Sequence, residues 1–167
     1  DIPDIQTTAR KSLASYYSMI EQIDVNVGRI RDALKEKGLW NNTIVVFFSD
    51  HGDMHQSHGH QFKTTPHEES IRIPFIIGGG YVEENLKGTK NKQVDAIINH
   101  VDISSTTLGL ARISVPDGFE GFDYSSYVNK EINEINGEPE SAFIQSNVPT
   151  GHGNCIDKPW RGVVTRD

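Results

Sequence analysis

Cysteine is nearly missing. Cys155 is the only one in 167 residues, which excludes an internal disulfide and leaves the redox compartment undecided. Basic residues are also few, with 16 Lys and Arg against 23 Asp and Glu, a net charge of -7 and a pI near 5.4. Phosphate backbones are bound by clustered Lys and Arg, and no such cluster is evident, which argues against nucleic acid as a partner. No apolar run approaches the roughly 18 residues of a membrane span, and no charged-then-apolar leader opens the chain. Nucleophile signatures are absent as well. There is no G-x-S-x-G elbow, and Cys155 stands in a plain Asn154-Cys155-Ile156-Asp157 context. The length suits one domain with a real core, and is short for two. Asp1 in place of Met, and a last stretch from Trp160 to Asp167 that reads as a strand without its partner, suggest a piece of something larger. We therefore expect a single partial domain over residues 1–167.

What is present is concentrated in one place. Residues 43–53 run from the apolar stretch Ile44 to Phe48 straight into Asp50 and His51, with Gly52 behind them. A strand apolar on both faces needs cover on both sides, as in the parallel sheet of an α/β domain. Such sheets bind ligands at the carboxyl ends of their strands, where Asp50 and His51 fall. Neighbouring side chains on a strand point to opposite faces. The carboxylate and imidazole can therefore meet on one ion only if the strand ends there and Gly52 lets the backbone turn. The bland reading of the pair is a helix cap beside a satisfied polar histidine; the preceding strand favours a ligand pair.

Around this junction the chain reads as alternating elements. Leu13, Tyr16, Ile20, Ile23, Val27, Ile30 and Leu34 follow steps of three and four, which predicts a long helix. Gly38 supplies its left-handed end, and Leu39 suits the contact of a Schellman motif. Asp24, Asn26 and Gly28 do not make a calcium loop, because Arg29 and Lys35 occupy its required Gly and Glu positions. Ile71–Ile77 is a second strand candidate, at an edge or bulged because Pro74 cannot donate to a ladder. Residues 81–93 read as a charged connection, and Asp102 as the N-cap of a short helix through Leu110. Val115-Pro116-Asp117-Gly118 is turn chemistry. Residues 129–140 read as an exposed loop. Ala142–Gln145 and Gly162–Thr165 are the last strand candidates, separated by the loop Gly151-His152-Gly153. Asn41-Asn42-Thr43 fits the glycosylation pattern and equally a helix-to-strand turn.

Five of the seven histidines, at positions 51, 55, 58, 60 and 67, fall in one stretch. Their spacing fits no zinc signature: Gly52 stands where an HExxH motif needs glutamate. His55, His58, His60 and His67 are expected as loop or supporting residues. Lys63 lies in the loop returning to the Asp50 end of the sheet, where its ammonium could hold an anionic oxyacid as a point charge. Taken alone it reads as a solvated surface lysine.

Several spaced elements in order carry a family resemblance. They are Tyr16-x3-Ile20-x2-Ile23-Asp24-x3-Gly28-Arg29-Ile30, then Gly38-Leu39-Trp40-x2-Thr43, Ser49-Asp50-His51-Gly52, Ser57-His58-Gly59, Lys63, Pro66, Glu68-Glu69-Ser70-Ile71-Arg72-Ile73-Pro74, His100-Val101-Asp102-Ile103 and Trp160-Arg161-Gly162-Val163. Together they resemble the C-terminal portion of the sulfatase catalytic domain, in the alkaline-phosphatase-like superfamily. The likeness thins between residues 119 and 159. It implies an α/β fold, a mixed and largely parallel sheet flanked by helices, incomplete here and with C-terminal strands. It also implies a divalent metal, most often Ca2+, held by four side chains, of which Asp50 and His51 are one pair and the other pair lies in the N-terminal part of the same domain. Lys63 aligns with the lysine that contacts the sulfate oxygens, as a catalytic and substrate-binding residue. The family nucleophile is a formylglycine made from a C/S-x-P-x-R motif, and none occurs in these residues. Gln56 and His67 depart from the family's usual Gly and Tyr, which bears on loop shape and substrate preference.

The resemblance implies a parent enzyme that hydrolyses sulfate monoesters of a small molecule or glycan, in a periplasmic or secreted setting. Without nucleophile or first ligand pair, this chain alone is expected to be inactive. Two alternatives stay open: a phosphodiesterase or phosphonate monoester hydrolase of the same superfamily, and a non-catalytic binding module on the same scaffold.

Overall fold

The computed structural model describes residues 2–86, 93–129, 135–147 and 158–166. Helix α1 spans Ile2–Glu36. It ends as its sequence requires: Gly38 takes φ +67°, Leu39 N–H donates to the Leu34 carbonyl at 2.9 Å, and Gly38 N–H donates to that of Lys35 at 3.0 Å. These are the two bonds of a Schellman end. A 3₁₀ turn, Trp40–Asn42, then feeds strand β1, Val45–Phe48. The Asn41-Asn42-Thr43 sequence lies at this turn, and the Thr43 hydroxyl donates to the Leu39 carbonyl at 2.8 Å.

A long loop separates β1 from helix α2, Glu68–Ile71, and strand β2, Phe75–Gly78. The expected strand from Ile71 is shorter than predicted. Ile71 closes α2, and pairing starts only beyond Pro74, which has no N–H to give to a ladder. Strands β1 and β2 pair antiparallel, with Val45 opposite Gly78 and Phe48 opposite Phe75. The parallel neighbours implied by the family likeness are not among the described residues. Helix α3, Gly80–Asn85, replaces the first part of the expected charged connection. Its Val82 is buried, and that burial outweighs the polarity of the segment around it.

Helix α4, His100–Leu110, begins three residues earlier than predicted. The cap is Asn99, whose side chain accepts the His100 N–H at 2.7 Å, while Asp102 in the third helical position accepts the Asn99 N–H at 2.7 Å. Asp102 is thus the returning half of a capping box. Its other oxygen accepts the Phe122 N–H at 2.7 Å, which ties the segment after the helix to its first turn. Gly118 takes φ +92° in the expected turn. Helix α5, Ser126–Asn129, follows, and then β3, Ser141–Ser146, and β4, Trp160–Thr165, form an antiparallel pair, so the last strand, expected without a partner, has one in β3. Only residues 135–140 of the predicted 129–140 loop can be described beyond α5. Gly151-His152-Gly153 and Cys155 lie outside the described residues.

The fold is mixed α/β, with small sheets. On one face of the β1–β2 sheet, Ile44, Val46 and Ile77 pack against a core of Val82, Leu110 and Val128. On the other face Val45, Phe47 and Ile76 look toward Ile20, Ile23, Val27 and Ile30 of α1 across an apolar groove of about 460 Å³. The strand therefore has two apolar faces, as its composition demands. Among the described residues no helix is long and apolar enough to cross a membrane.

Candidate functional site

Strand β1 stops at Phe48, and the next four residues turn the chain. The Ser49 hydroxyl donates to the His51 carbonyl at 2.8 Å, and Asp50 Oδ1 accepts the His51 N–H at 3.0 Å. The Gly52 N–H then docks on the Ser70 carbonyl at 2.8 Å. A Cβ at residue 52 would stand 1.9 Å from the Glu69 carbonyl oxygen, so only glycine allows this approach. The turn brings side chains that would alternate on a strand onto one side: Asp50 Oδ2 lies 3.5 Å from His51 Nε2.

The third group is Lys63, whose Nζ lies 2.6 Å from His51 Nε2. Hydrogen bonding fixes the imidazole. Nδ1 is 2.7 Å from the Gly52 carbonyl, which can only accept, so the ring proton sits on Nδ1. An ammonium can only donate, so Nε2 offers its lone pair to Lys63. An imidazole tethered to a carbonyl through Nδ1, with its Nε2 lone pair turned to a cation, is the arrangement of metal-ligating histidines; here that cation is the Lys63 ammonium. The structure thus brings Asp50, His51 and Lys63 together at the end of β1. The site is open: the Asp50 side chain is 84% exposed and that of His51 37%. A cavity of about 490 Å³, lined by Asn42, Ile44, Tyr81 and Arg112, lies at the opposite end of β1 and does not include these groups.

The loop carrying Lys63 is held in sparsely populated backbone. His55, Gln56, His58, Phe62 and Thr64 all have positive φ, between 44° and 74°. Fully buried Met54 and Thr65 anchor it. The Met54 N–H donates to the Phe62 carbonyl at 2.6 Å, and the Thr65 hydroxyl to Met54 Sδ at 3.0 Å. The other histidines of this stretch lie in the loop and divide into two groups. His55 packs edge-on to Tyr16 and faces Asp53, with Nδ1 3.4 Å from Oδ1. His58 stacks on His67 with ring centres 4.3 Å apart, His60 lies 5.7 Å from His67, and His58 Nε2 is 3.7 Å from Glu69 Oε1. The Glu69 carboxyl is held below its ordinary range, chiefly by a backbone hydrogen bond and next by the Ser57 hydroxyl.

Sequence reasoning gave His100 no role. Its Nε2 lies 3.3 Å from the Ser49 carbonyl, the residue before Asp50, and so supports the turn from the start of α4. The sequence signal was its place in His100-Val101-Asp102, ahead of a capped helix. Among the described residues no group of three or more His, Cys, Asp or Glu could hold a metal ion. The donors that converge are a pair, one hard oxygen and one nitrogen.

The family is shown by comparison with known proteins. The family model Sulfatase matches residues 2–113. An arylsulfatase of Clostridium perfringens is 42% identical over 122 residues, covering 72% of this chain and 25% of its own length. A protein solved in complex with its substrate D-glucosamine-2-N,6-O-disulfate superposes with a TM-score of 0.75 at 26% identity, over 89% of this chain and 28% of that one. A phosphonate monoester hydrolase of Agrobacterium radiobacter superposes with a TM-score of 0.69 at 26% identity, over 83% of this chain and 26% of that one. This chain thus spans about a quarter of the arylsulfatase it matches, and the fold is alkaline-phosphatase-like. On the matched residues and the identity to the arylsulfatase, the chain belongs to the sulfatase family, whose members are sulfuric ester hydrolases.

Proposed function

We propose that this chain is one part of a sulfatase catalytic domain in which Asp50 and His51 hold a divalent cation, Ca2+ by family resemblance, and Lys63 contacts the sulfate oxygens of a sulfated small molecule or glycan. One observation carries this reading: Asp50 Oδ2, His51 Nε2 and Lys63 Nζ meet at the carboxyl end of β1. The residues fit half of such a site. A carboxylate suits a hard cation, the Nε2 lone pair faces outward, and a cation, the Lys63 ammonium, already stands at it.

When bound, a divalent ion would supply positive charge to the sulfate oxygens. The chain's own residues supply the rest. Gly52 fixes the His51 tautomer through its carbonyl, and Asp50 keeps a free oxygen in solvent. An ammonium and a metal ion cannot share one lone pair, so Lys63 becomes the group free to turn to the anion. Negative charge grows on the departing oxygen as the S–O bond breaks, and an ammonium turned to the anion stabilises that state more than the bound ester. The nucleophile, a formylglycine by family, and two further ligands would come from the N-terminal part of the same domain, consistent with the quarter of the arylsulfatase that this chain spans.

The test is sulfate release from an aryl sulfate and from a glucosamine sulfate by the full-length protein, with and without a calcium chelator. Sulfate release that fails on chelation supports the reading. The resemblance to the phosphonate monoester hydrolase makes phosphonate or phosphodiester hydrolysis the second reading. Turnover of those esters without sulfate release would put it first. Absence of any turnover together with absence of calcium binding in titration would favour a non-catalytic module.

A further inference from the structure

The left-handed backbone of the Lys63 loop needs a cause outside the loop. Thr64, directly after Lys63, has φ +74°, a conformation that a β-branched residue adopts only where its surroundings impose it. The local anchors, Met54 and Thr65, hold the base of the loop. The distant anchor is Trp160. Its indole N–H donates to the Thr64 carbonyl at 2.7 Å, across 96 residues of sequence. That N–H is the side chain's one polar group, and it is a donor only.

Trp160 opens β4, and β4 is itself fixed relative to the metal pair. It pairs with β3, Trp160 opposite Ser146. The Asn99 side chain donates to the Phe143 carbonyl of β3 at 2.8 Å, and its neighbour His100 reaches the Ser49 carbonyl. The β3–β4 pair therefore touches both arms of the site: the Lys63 loop through Trp160, and the Ser49-Asp50-His51 turn through Asn99 and His100. We propose that Trp160 is a positioning residue, which places the Lys63 ammonium relative to Asp50 and His51 by holding the Thr64 carbonyl. The inference rests on the reading of Lys63 as the group that meets the sulfate. A misplacement of about an ångström at such a group costs up to about a hundredfold in rate.

The experiment is a double-mutant cycle in the full-length protein, with Lys63→Ala, Trp160→Phe and both together, measured as kcat and KM on an aryl sulfate and as calcium affinity by calorimetry. Expected for Trp160→Phe is a kcat lower by about tenfold, with KM shifted less and calcium affinity held. In the Lys63→Ala background the same change should cost nothing more, since Trp160 then has no ammonium to place. Losses that simply multiply, or a Trp160→Phe protein with unchanged kcat beside a damaged Lys63→Ala protein, would overturn the positioning role and leave the site reading standing. A Lys63→Ala protein of full activity would remove both. Should Trp160→Phe fail to fold, benzothienylalanine placed at residue 160 keeps the shape of tryptophan with sulfur for the N–H, and the same outcomes apply.

Discussion

His51 can present its Nε2 lone pair only while residue 52 is a glycine. The Gly52 carbonyl holds Nδ1, its N–H is spent on Ser70, and the Glu69 carbonyl leaves no room for a Cβ. Gly52→Ala would force the Asp50–Gly52 turn away from α2. We expect it to lower stability by about 1–3 kcal/mol, read by urea unfolding, and to lower activity of the full-length protein more than its stability explains. Gly38→Ala is the control, with open space around it and only its φ of +67° to oppose a side chain. About 1 kcal/mol is expected there, with kcat unchanged. For Lys63→Ala we expect kcat of the full-length protein to fall about 10²–10³-fold, the cost of removing one group that stabilises developing negative charge. At this scale the meeting of Asp50, His51 and Lys63 was legible from their types and their order along the chain. His100 was not, because its contact with Ser49 spans 51 residues.

At the scale of elements, the N-terminus of α4 does more than cap a helix. Asp102 accepts from both Asn99 and Phe122 while only 5% exposed, so Asp102→Ala would leave two part-buried backbone donors without this partner. A loss of about 3 kcal/mol or more is expected, visible as a large drop in thermal midpoint. The start of this helix was misplaced by three residues because Asp at either the cap or the third position fits the same pattern. Helix α5 and the end of β4 are joined by Tyr127, whose hydroxyl donates to Glu138, which also pairs with Arg166. Burial, and next the bond to Glu138, push the Tyr127 hydroxyl up from 10.0 to about 12. A raised value means that the folded state keeps a proton the unfolded chain gives up. Its contribution to stability is therefore complete below pH 10 and is lost as pH rises toward 12. Unfolding midpoints taken across that window should fall, and Tyr127→Phe should flatten the fall.

At the scale of the molecule, an apolar surface among the described residues stays uncovered. Ile20, Ile23 and Ile30 of α1 are 44%, 48% and 61% exposed, and they face Val45, Phe47 and Ile76 across the groove. Contiguous apolar surface of this kind marks an interface. The proposed N-terminal part of the domain is the element that would fill it. The 167-residue chain alone should bind a hydrophobic dye such as ANS and self-associate in size-exclusion chromatography. A monomer that does not bind the dye would count against an uncovered interface. The same chain should hydrolyse an aryl sulfate no faster than buffer does, and turnover well above buffer would defeat the reading that its nucleophile lies elsewhere.

The sequence by itself determined α1 from Leu13 to its glycine stop, the apolar strand running into Asp50 and His51, the two late strands, and the family. Each is set by local periodicity, by a turn residue or by side-chain type in order along the chain. Tertiary structure alone decided that β2 begins after Pro74, that residues 80–85 coil into a helix over Val82, and that Trp160 and His100 brace the site. Those outcomes depend on which distant carbonyl or apolar face each residue meets, and contacts across 51 or 96 residues leave no periodic mark on the chain.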